Sequence, residues 1–141
     1  MSFVVDASVA LLWLVPQTNP AGTAYAESAL LALRESQALV PSLFALEIAN
    51  VVAKVEAKGV VSEADSQRFI YLLGQLDLVT DVDTMAHALA DTLNLARRYR
   101  LSAYDAAYLE LALRRGLPLA TLDTDLAQAA AKAGLSLFQT L

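Results

Sequence analysis

Short apolar runs alternate with longer helical patterns along this chain, and that alternation limits the fold more tightly than any other feature. Residues 3–5, 38–40, 77–79, 119–121 and 137–138 read as strands. Residues 7–14 read as a short helix stopped before Pro16, and residues 21–34 as a longer one. Ser42 is placed to cap a helix that runs to Lys58 and ends at Gly59. Ser62 opens the next helix, with Asp65 three residues on in a capping-box pattern. Residues 83–99 are helical. Ser102 caps a helix through Arg115 that Gly116 and Pro118 close, and a last helix runs from Asp123 to Gly134. Parallel strands need crossover connections, so this order implies an α/β domain around a mostly parallel sheet. No linker, repeat or low-complexity tract divides the 141 residues, and residues 1–141 are read as one domain.

Acidic residues interrupt the apolar segments. Asp6 ends Phe3-Val4-Val5. Glu47 lies within Leu43-Phe44-Ala45-Leu46-Glu47-Ile48-Ala49. Asp105 lies within Ser102-Ala103-Tyr104-Asp105-Ala106-Ala107-Tyr108, and Asp123 and Asp125 follow Leu119-Ala120-Thr121-Leu122. Acids are rarely buried without a partner. In open parallel sheets ligands bind beyond the carboxyl ends of the strands, which is where Asp6 and Asp123 fall. Asp105 falls in the first turn of its helix, and Glu47 and Asn50 share one helix face. A divalent cation is the natural neutraliser of such a group. Hard oxygen ligands favour Mg²⁺ or Mn²⁺, one or two ions, over zinc.

Composition narrows the chemistry. There is no cysteine and one histidine, His87, which excludes a thiol nucleophile, a disulfide framework and a multi-histidine metal site. Fifteen acids face ten bases, for a net charge of −5. Setting aside Asp6, Glu47, Asp105, Asp123 and Asp125 leaves ten against ten, so a metal-loaded protein need not repel a polyanion. Residues 7–26 carry no charge, but Pro16, Gln17, Thr18, Asn19, Pro20 and Gly22 break the stretch, and residues 9–15 are too short to cross a bilayer. No basic segment precedes them. A soluble, cytoplasmic protein with no membrane association is expected.

Each acid has a simpler alternative. Asp123 could cap a helix, Asp105 could answer Ser102 as the third residue of a cap, and Asp125 could be a surface acid near a helix N-terminus. Asp6 and Glu47 resist such readings, because Leu46, Ile48, Val51 and Val52 imply a largely buried helix around Glu47. Ser8 and Thr121 fit either local turns or support of a carboxylate, and Asn50 is a further supporting candidate. Trp13, Tyr104 and Tyr108 read as core or interface residues. Arg97, Arg98, Arg100, Arg114 and Arg115 form either a solvated face or a phosphate-contacting group.

Four segments together resemble the PIN-domain nucleases, and specifically the VapC toxins of bacterial type II toxin–antitoxin pairs. Val5-Asp6-Ala7-Ser8-Val9-Ala10-Leu11-Leu12-Trp13 is similar to their first motif. Residues 41–51, ending Leu46-Glu47-Ile48-Ala49-Asn50-Val51, match the second. Ser102 to Tyr108 resembles the third, and Thr121-Leu122-Asp123-Thr124-Asp125 the fourth. The likeness spans essentially the whole chain. It implies a Rossmann-like α/β/α sandwich, the PIN domain, with Mg²⁺ or Mn²⁺ dependence and ribonuclease activity. It also implies a homodimer and a small antitoxin protein as partner.

The expected activity is metal-assisted hydrolysis of single-stranded RNA. Asp6, Glu47, Asp105 and Asp123 carry it as metal ligands, Asp125 assists, and Ser8, Asn50 and Thr121 support. A housekeeping PIN nuclease in RNA processing and a non-catalytic acidic Mg²⁺-binding or interaction module are the alternatives. A phosphoacceptor domain fits less well, because Asp6 stands alone after the first strand and the one late lysine, Lys132, falls in a helix. An Asp-x-Asp phosphatase fits less well too, because Ser8 occupies the second acid position.

Overall fold

The computed structural model describes residues 2–15 and 19–139. Pro16, Gln17 and Thr18, invoked above as breakers of the uncharged stretch, lie outside the described residues. Strands β1 (Phe3–Val5), β2 (Ala38–Val40), β3 (Leu78–Thr80) and β4 (Leu119–Ala120) form one sheet in the order β3-β2-β1-β4. All three pairings are parallel, with Phe3 opposite Ala38, Val5 opposite Ala120 and Leu39 opposite Val79. Every residue of β1 and β2 is buried, as expected of central strands covered on both faces.

Helices make the crossovers. They are α1 (Ala7–Ala10), which tightens into a 3₁₀ turn over Leu11–Trp13, α2 (Pro20–Ala32), α3 (Phe44–Ala57), α4 (Glu63–Gln75), α5 (Thr84–His87), α6 (Leu93–Tyr99), α7 (Ala103–Arg115) and α8 (Thr124–Lys132). Helix α7 carries an unbroken buried run from Ala106 to Ala112 and packs against β1. Asn19 caps α2 through Gly22 N–H, with Pro20 at the first helical position, where its missing N–H costs nothing. Among the described residues no helix is long and apolar enough to cross a membrane.

The structure corrects four local expectations. Ser42 does not cap α3; Leu43 holds that position without a side-chain bond, and Ser42 N–H donates instead to Thr84 Oγ1 at 3.1 Å. The helix expected over residues 83–99 is interrupted by a π-helical turn at Ala88–Thr92, whose buried Thr92 hydroxyl has no hydrogen-bond partner among the described residues. No strand forms at residues 137–138; one parallel bridge joins Leu137 to Leu119. Thr121 lies just past the end of β4, and its hydroxyl donates to Asp6.

Candidate metal centre

Asp6 is the first residue past β1, where the chain turns into α1, and its side chain is buried. Its Oδ2 accepts two hydroxyl hydrogen bonds, from Ser8 at 2.7 Å and from Thr121 at 2.8 Å. Each hydroxyl is oriented in turn by a backbone donor from the loop after β4. Leu122 N–H donates to Ser8 Oγ and Asp123 N–H donates to Thr121 Oγ1, both at 3.0 Å. The two hydroxyls therefore tie the carboxyl ends of β1 and β4 together and fix the Asp6 rotamer. Burial pushes the Asp6 carboxyl above its ordinary pKa, the Ser8 and Thr121 bonds pull it back, and the charge of Asp123 adds to the rise.

Glu47 projects from the first turn of α3, and its Oε1 accepts a 2.6 Å hydrogen bond from Tyr108 of α7. Desolvation raises its pKa, the Tyr108 bond opposes that, and the charges of Asp6 and Asp105 raise it further. The Tyr108 phenol is itself held protonated by burial and by Glu47. Asp123 caps α8, its Oδ1 accepting from Leu126 N–H at 3.0 Å. That confirms the capping alternative for one oxygen and leaves the other uncommitted.

Asp105 departs from the simple capping pattern that Asp65 shows. Helix α4 holds a complete capping box, in which Ser62 accepts from Asp65 N–H and Asp65 accepts from Ser62 N–H. Those bonds hold the Asp65 carboxyl below its ordinary pKa. In α7 Ser102 accepts from Asp105 N–H, but no reciprocal bond from Ser102 N–H to the carboxylate forms. Asp105 is instead pushed up to about 6, first by burial and then by the charges of Asp123, Asp6 and, opposed by Ser102, Asp125. One sequence pattern thus gives two opposite electrostatic outcomes.

These four acids influence one another across β1, α3, α7 and the β4–α8 loop. Among the described residues none of them forms an ion pair with Lys, Arg or His. The donor set is hard oxygen throughout, which fits an oxygen-seeking divalent ion. No three of the four carboxylates close to within 4.8 Å of one another; His87, Asp91 and Glu110 do. In that second group Glu110 already accepts from Arg114 Nε at 2.9 Å, so a cation there competes with a guanidinium.

The remaining candidates fall at the margin. Asp125 is exposed and acts on the group only through its charge. Asn50 is exposed and has no hydrogen-bond partner among the described residues. Leu46 is 75% exposed, so α3 is buried along one face only, contrary to the expectation of a largely buried helix. Trp13 packs beside α2 and donates to Ala26 O at 2.8 Å, while Tyr104 is exposed and outside the core.

Two features were not anticipated. Tyr108 orients Glu47, and its only signal was a tyrosine one turn after Asp105 on the same helix face. Glu110 and Asp81 are buried around Arg114, which meets Asp81 Oδ2 at 2.6 Å, so that arginine belongs to neither a solvated face nor a phosphate site. The criterion that singled out Glu47 also fits Glu110, set in Tyr108-Leu109-Glu110-Leu111-Ala112.

A profile of the PIN domain matches residues 3–132. The chain belongs to the PIN domain family. A relative named ribonuclease VapC3, from Pyrobaculum aerophilum, is 33% identical over 128 residues, which cover 91% of this chain and 94% of that protein. Among solved structures, the PIN domain described here is similar to PAE2754 from Pyrobaculum aerophilum, with a TM-score of 0.64 and 23% identity, covering 92% of this chain and 87% of the other. It is also similar to VapBC2 from Rickettsia felis bound to a promoter DNA fragment, with a TM-score of 0.66 and 14% identity over the full length of both chains. At those identities the two structures speak for the fold alone.

Proposed function

We propose that this PIN domain is a Mg²⁺- or Mn²⁺-dependent endoribonuclease that hydrolyses single-stranded RNA and serves as the toxin of a toxin–antitoxin pair. The carrying observation is the group of four acids at the carboxyl edge of the sheet, three of them raised in pKa and none paired with a base. Kinship to a protein named a ribonuclease supports the substrate class. We take residues 1–141 as one catalytic domain, acting in the cytoplasm.

Asp6, Glu47, Asp105 and Asp123 are assigned to hold one or two ions, with Asp125 assisting from the rim. When bound, the ion supplies positive charge for the phosphodiester and acidifies the attacking water. Ser8 and Thr121 keep Asp6 in one rotamer, and Tyr108 does the same for Glu47, so two ligands are fixed before substrate arrives. Water attacks phosphorus and the bond to the 3′-oxygen breaks, leaving 5′-phosphate and 3′-hydroxyl ends. His87 lies beside Asp91 and Glu110, neither of them among these four acids, and is given no part in the step.

A homodimer and a small antitoxin complete the reading. Val82 in the loop before α5, Met85 in α5 and Leu89 in the π-helical turn expose apolar side chains, Val82 at 91%, which supports burial against a partner. A basic antitoxin side chain over the acids would satisfy them as a cation does.

The test is cleavage of a mixed single-stranded RNA pool. Cutting with Mg²⁺ or Mn²⁺, none in EDTA, and 5′-phosphate products are expected. Asp6→Asn, Glu47→Gln and Asp105→Asn should each abolish it while keeping the fold. Cleavage that persists in EDTA, or full activity in any of the three variants, overturns the assignment.

A further inference from the structure

We propose that Arg100 and Lys132 form a phosphate subsite that grips the RNA backbone beside the carboxylate group. The inference rests on the RNA-cleaving reading and adds the residues that hold the strand. A cleft of about 270 Å³ separates the end of α6 from α8 and is lined by Tyr99, Arg100, Asp125, Gln128 and Lys132. Asp125, which lines this cleft, lies two residues from Asp123 and acts by charge on Asp105. Two cations against one acid leave the lining net positive, so an anion is the complementary ligand.

The structure separates the arginines that lie together in sequence. Arg114 is committed to Asp81 and Glu110. Arg97 reaches Asn94 Oδ1, and Arg98 lies 5.6 Å from the Tyr99 ring centre. Among the described residues Arg100 and Lys132 have no hydrogen-bond or ion-pair partner; both are exposed, and both line this cleft.

Backbone geometry gives an independent reason to single out Arg100. It is the one non-glycine residue with positive φ among the described residues, at φ 55° and ψ 44°. It ends α6 in the left-handed conformation, with Leu101 N–H closing back on Ala96 O at 3.1 Å. Gly59, Gly116 and Gly134 fill the other left-handed positions. Glycine would make this cap with less strain, so the cap does not call for an arginine. An arginine held in a conformation that glycine adopts with less strain is a backbone outlier of the kind that motivates a role for the side chain outside the cap.

Anisotropy of a labelled, mixed-sequence single-stranded RNA in EDTA measures the subsite without cleavage. The double variant Arg100→Gly/Lys132→Met should bind about tenfold more weakly, and the slope of log affinity against log salt should flatten by about 1.4, two contacts at about 0.7 each. Arg115→Met is the control for bulk charge. Arg115 is exposed and lies ten residues beyond Asp105 on α7, roughly 15 Å along the helix. It should change affinity by less than about twofold. Arg100→Gly alone should melt no lower than wild type, which keeps misfolding out of the result. With Mg²⁺ present, the double variant should raise KM and spare kcat.

Wild-type affinity in the double variant overturns the subsite, and so does an equal loss per charge in Arg115→Met. A wild type that binds RNA neither in EDTA nor with Ca²⁺ offered to neutralise the acids overturns it as well. If RNA binds through these two residues but is not cut with Mg²⁺ or Mn²⁺, the subsite stands and the nuclease reading falls.

Discussion

Replacing Asp105 with asparagine should stabilise the metal-free protein. The Asp105 carboxyl is raised from 3.8 to about 6, by burial first and by Asp123 and Asp6 next. A rise of about 2 units corresponds to about 3 kcal/mol in a fully shielded site. The residue is only partly buried, so solvent screening reduces this to about 1–2 kcal/mol. Asparagine also forfeits a favourable charge at a helix N-terminus, about 0.3–1 kcal/mol in the other direction. The net expectation is a gain of up to about 1.7 kcal/mol, or up to roughly 6 °C in Tm for a chain of this size.

The pH dependence fixes the sign. Between pH 3.8 and about 6 the folded state binds the proton and the unfolded state releases it, so wild-type stability falls as pH rises through that window. The advantage of Asp105→Asn is therefore fully developed above pH 6, about halved at pH 5 and absent below the unfolded value. Thermal melts by circular dichroism in EDTA at pH 7.5 and pH 5 measure both numbers. Mg²⁺ at about a hundred times its Kd should raise the wild type by about 2.7 kcal/mol and the variant much less. A variant that melts below wild type in EDTA at pH 7.5, beside a wild type indifferent to Mg²⁺, would refute the reasoning and leave Asp105 a helix-terminal acid.

Three further outcomes follow from particular contacts. Arg114→Met strands the buried Asp81 and Glu110 carboxylates and should destabilise by about 3–5 kcal/mol in urea melts, whereas a loss below 1 kcal/mol would mean the pair is solvated. Tyr108→Phe removes the bond that lowers the Glu47 pKa, so the acidic limb of the pH–rate profile should move to higher pH; an unmoved limb would deny Tyr108 its positioning role. Thr121→Val takes one hydroxyl from both Asp6 and Asp123 N–H; it should weaken Mg²⁺ affinity by about tenfold in titration calorimetry and lower stability in EDTA by about 1–3 kcal/mol.

Sequence pattern carried the architecture because burial and period are local signals. The strands at 3–5 and 38–40 are continuous apolar runs, and the Ser62–Asp65 box marks its helix start on both bonds. Ser42 misled because capping is decided by where the backbone turns, and tertiary pairing to Thr84 moved that turn by one residue. The π-helical turn left no trace in composition, since Ala88-Leu89-Ala90-Asp91-Thr92 suits an ordinary helix equally well. At the candidate site, acid positions were readable but support was not. Ser8 and Thr121 were plausible from proximity to acids, yet nothing in the chain says that both converge on one oxygen of Asp6, 115 residues from Thr121. Asn50 shared a helix face with Glu47 by spacing, but that part of α3 turns it to solvent.

The deepest contrast lies between two sets of acids held by the same helix. Near its end, α7 supplies Glu110 and Arg114, and with Asp81 and Thr84 they form a buried network in which each charge meets an opposite charge or a hydroxyl. The pKa of Asp81 is lowered there, chiefly by Arg114, so the network stabilises the fold above the unfolded carboxylate range. Near its start, α7 supplies Asp105 and Tyr108 to a set with no arginine at all, and there the pKa values of Asp6, Glu47 and Asp105 rise. The chain has a local means of neutralising buried acids and applies it at only one end of the helix. Leaving the other end uncompensated costs stability, which is the cost that the proposed metal site would carry. Introducing a lysine or arginine beside Asp105 would extend the first solution to the second set. On this reasoning it should raise the melting temperature in EDTA and remove the response to Mg²⁺ together, because one added cation would occupy the role that both effects depend on.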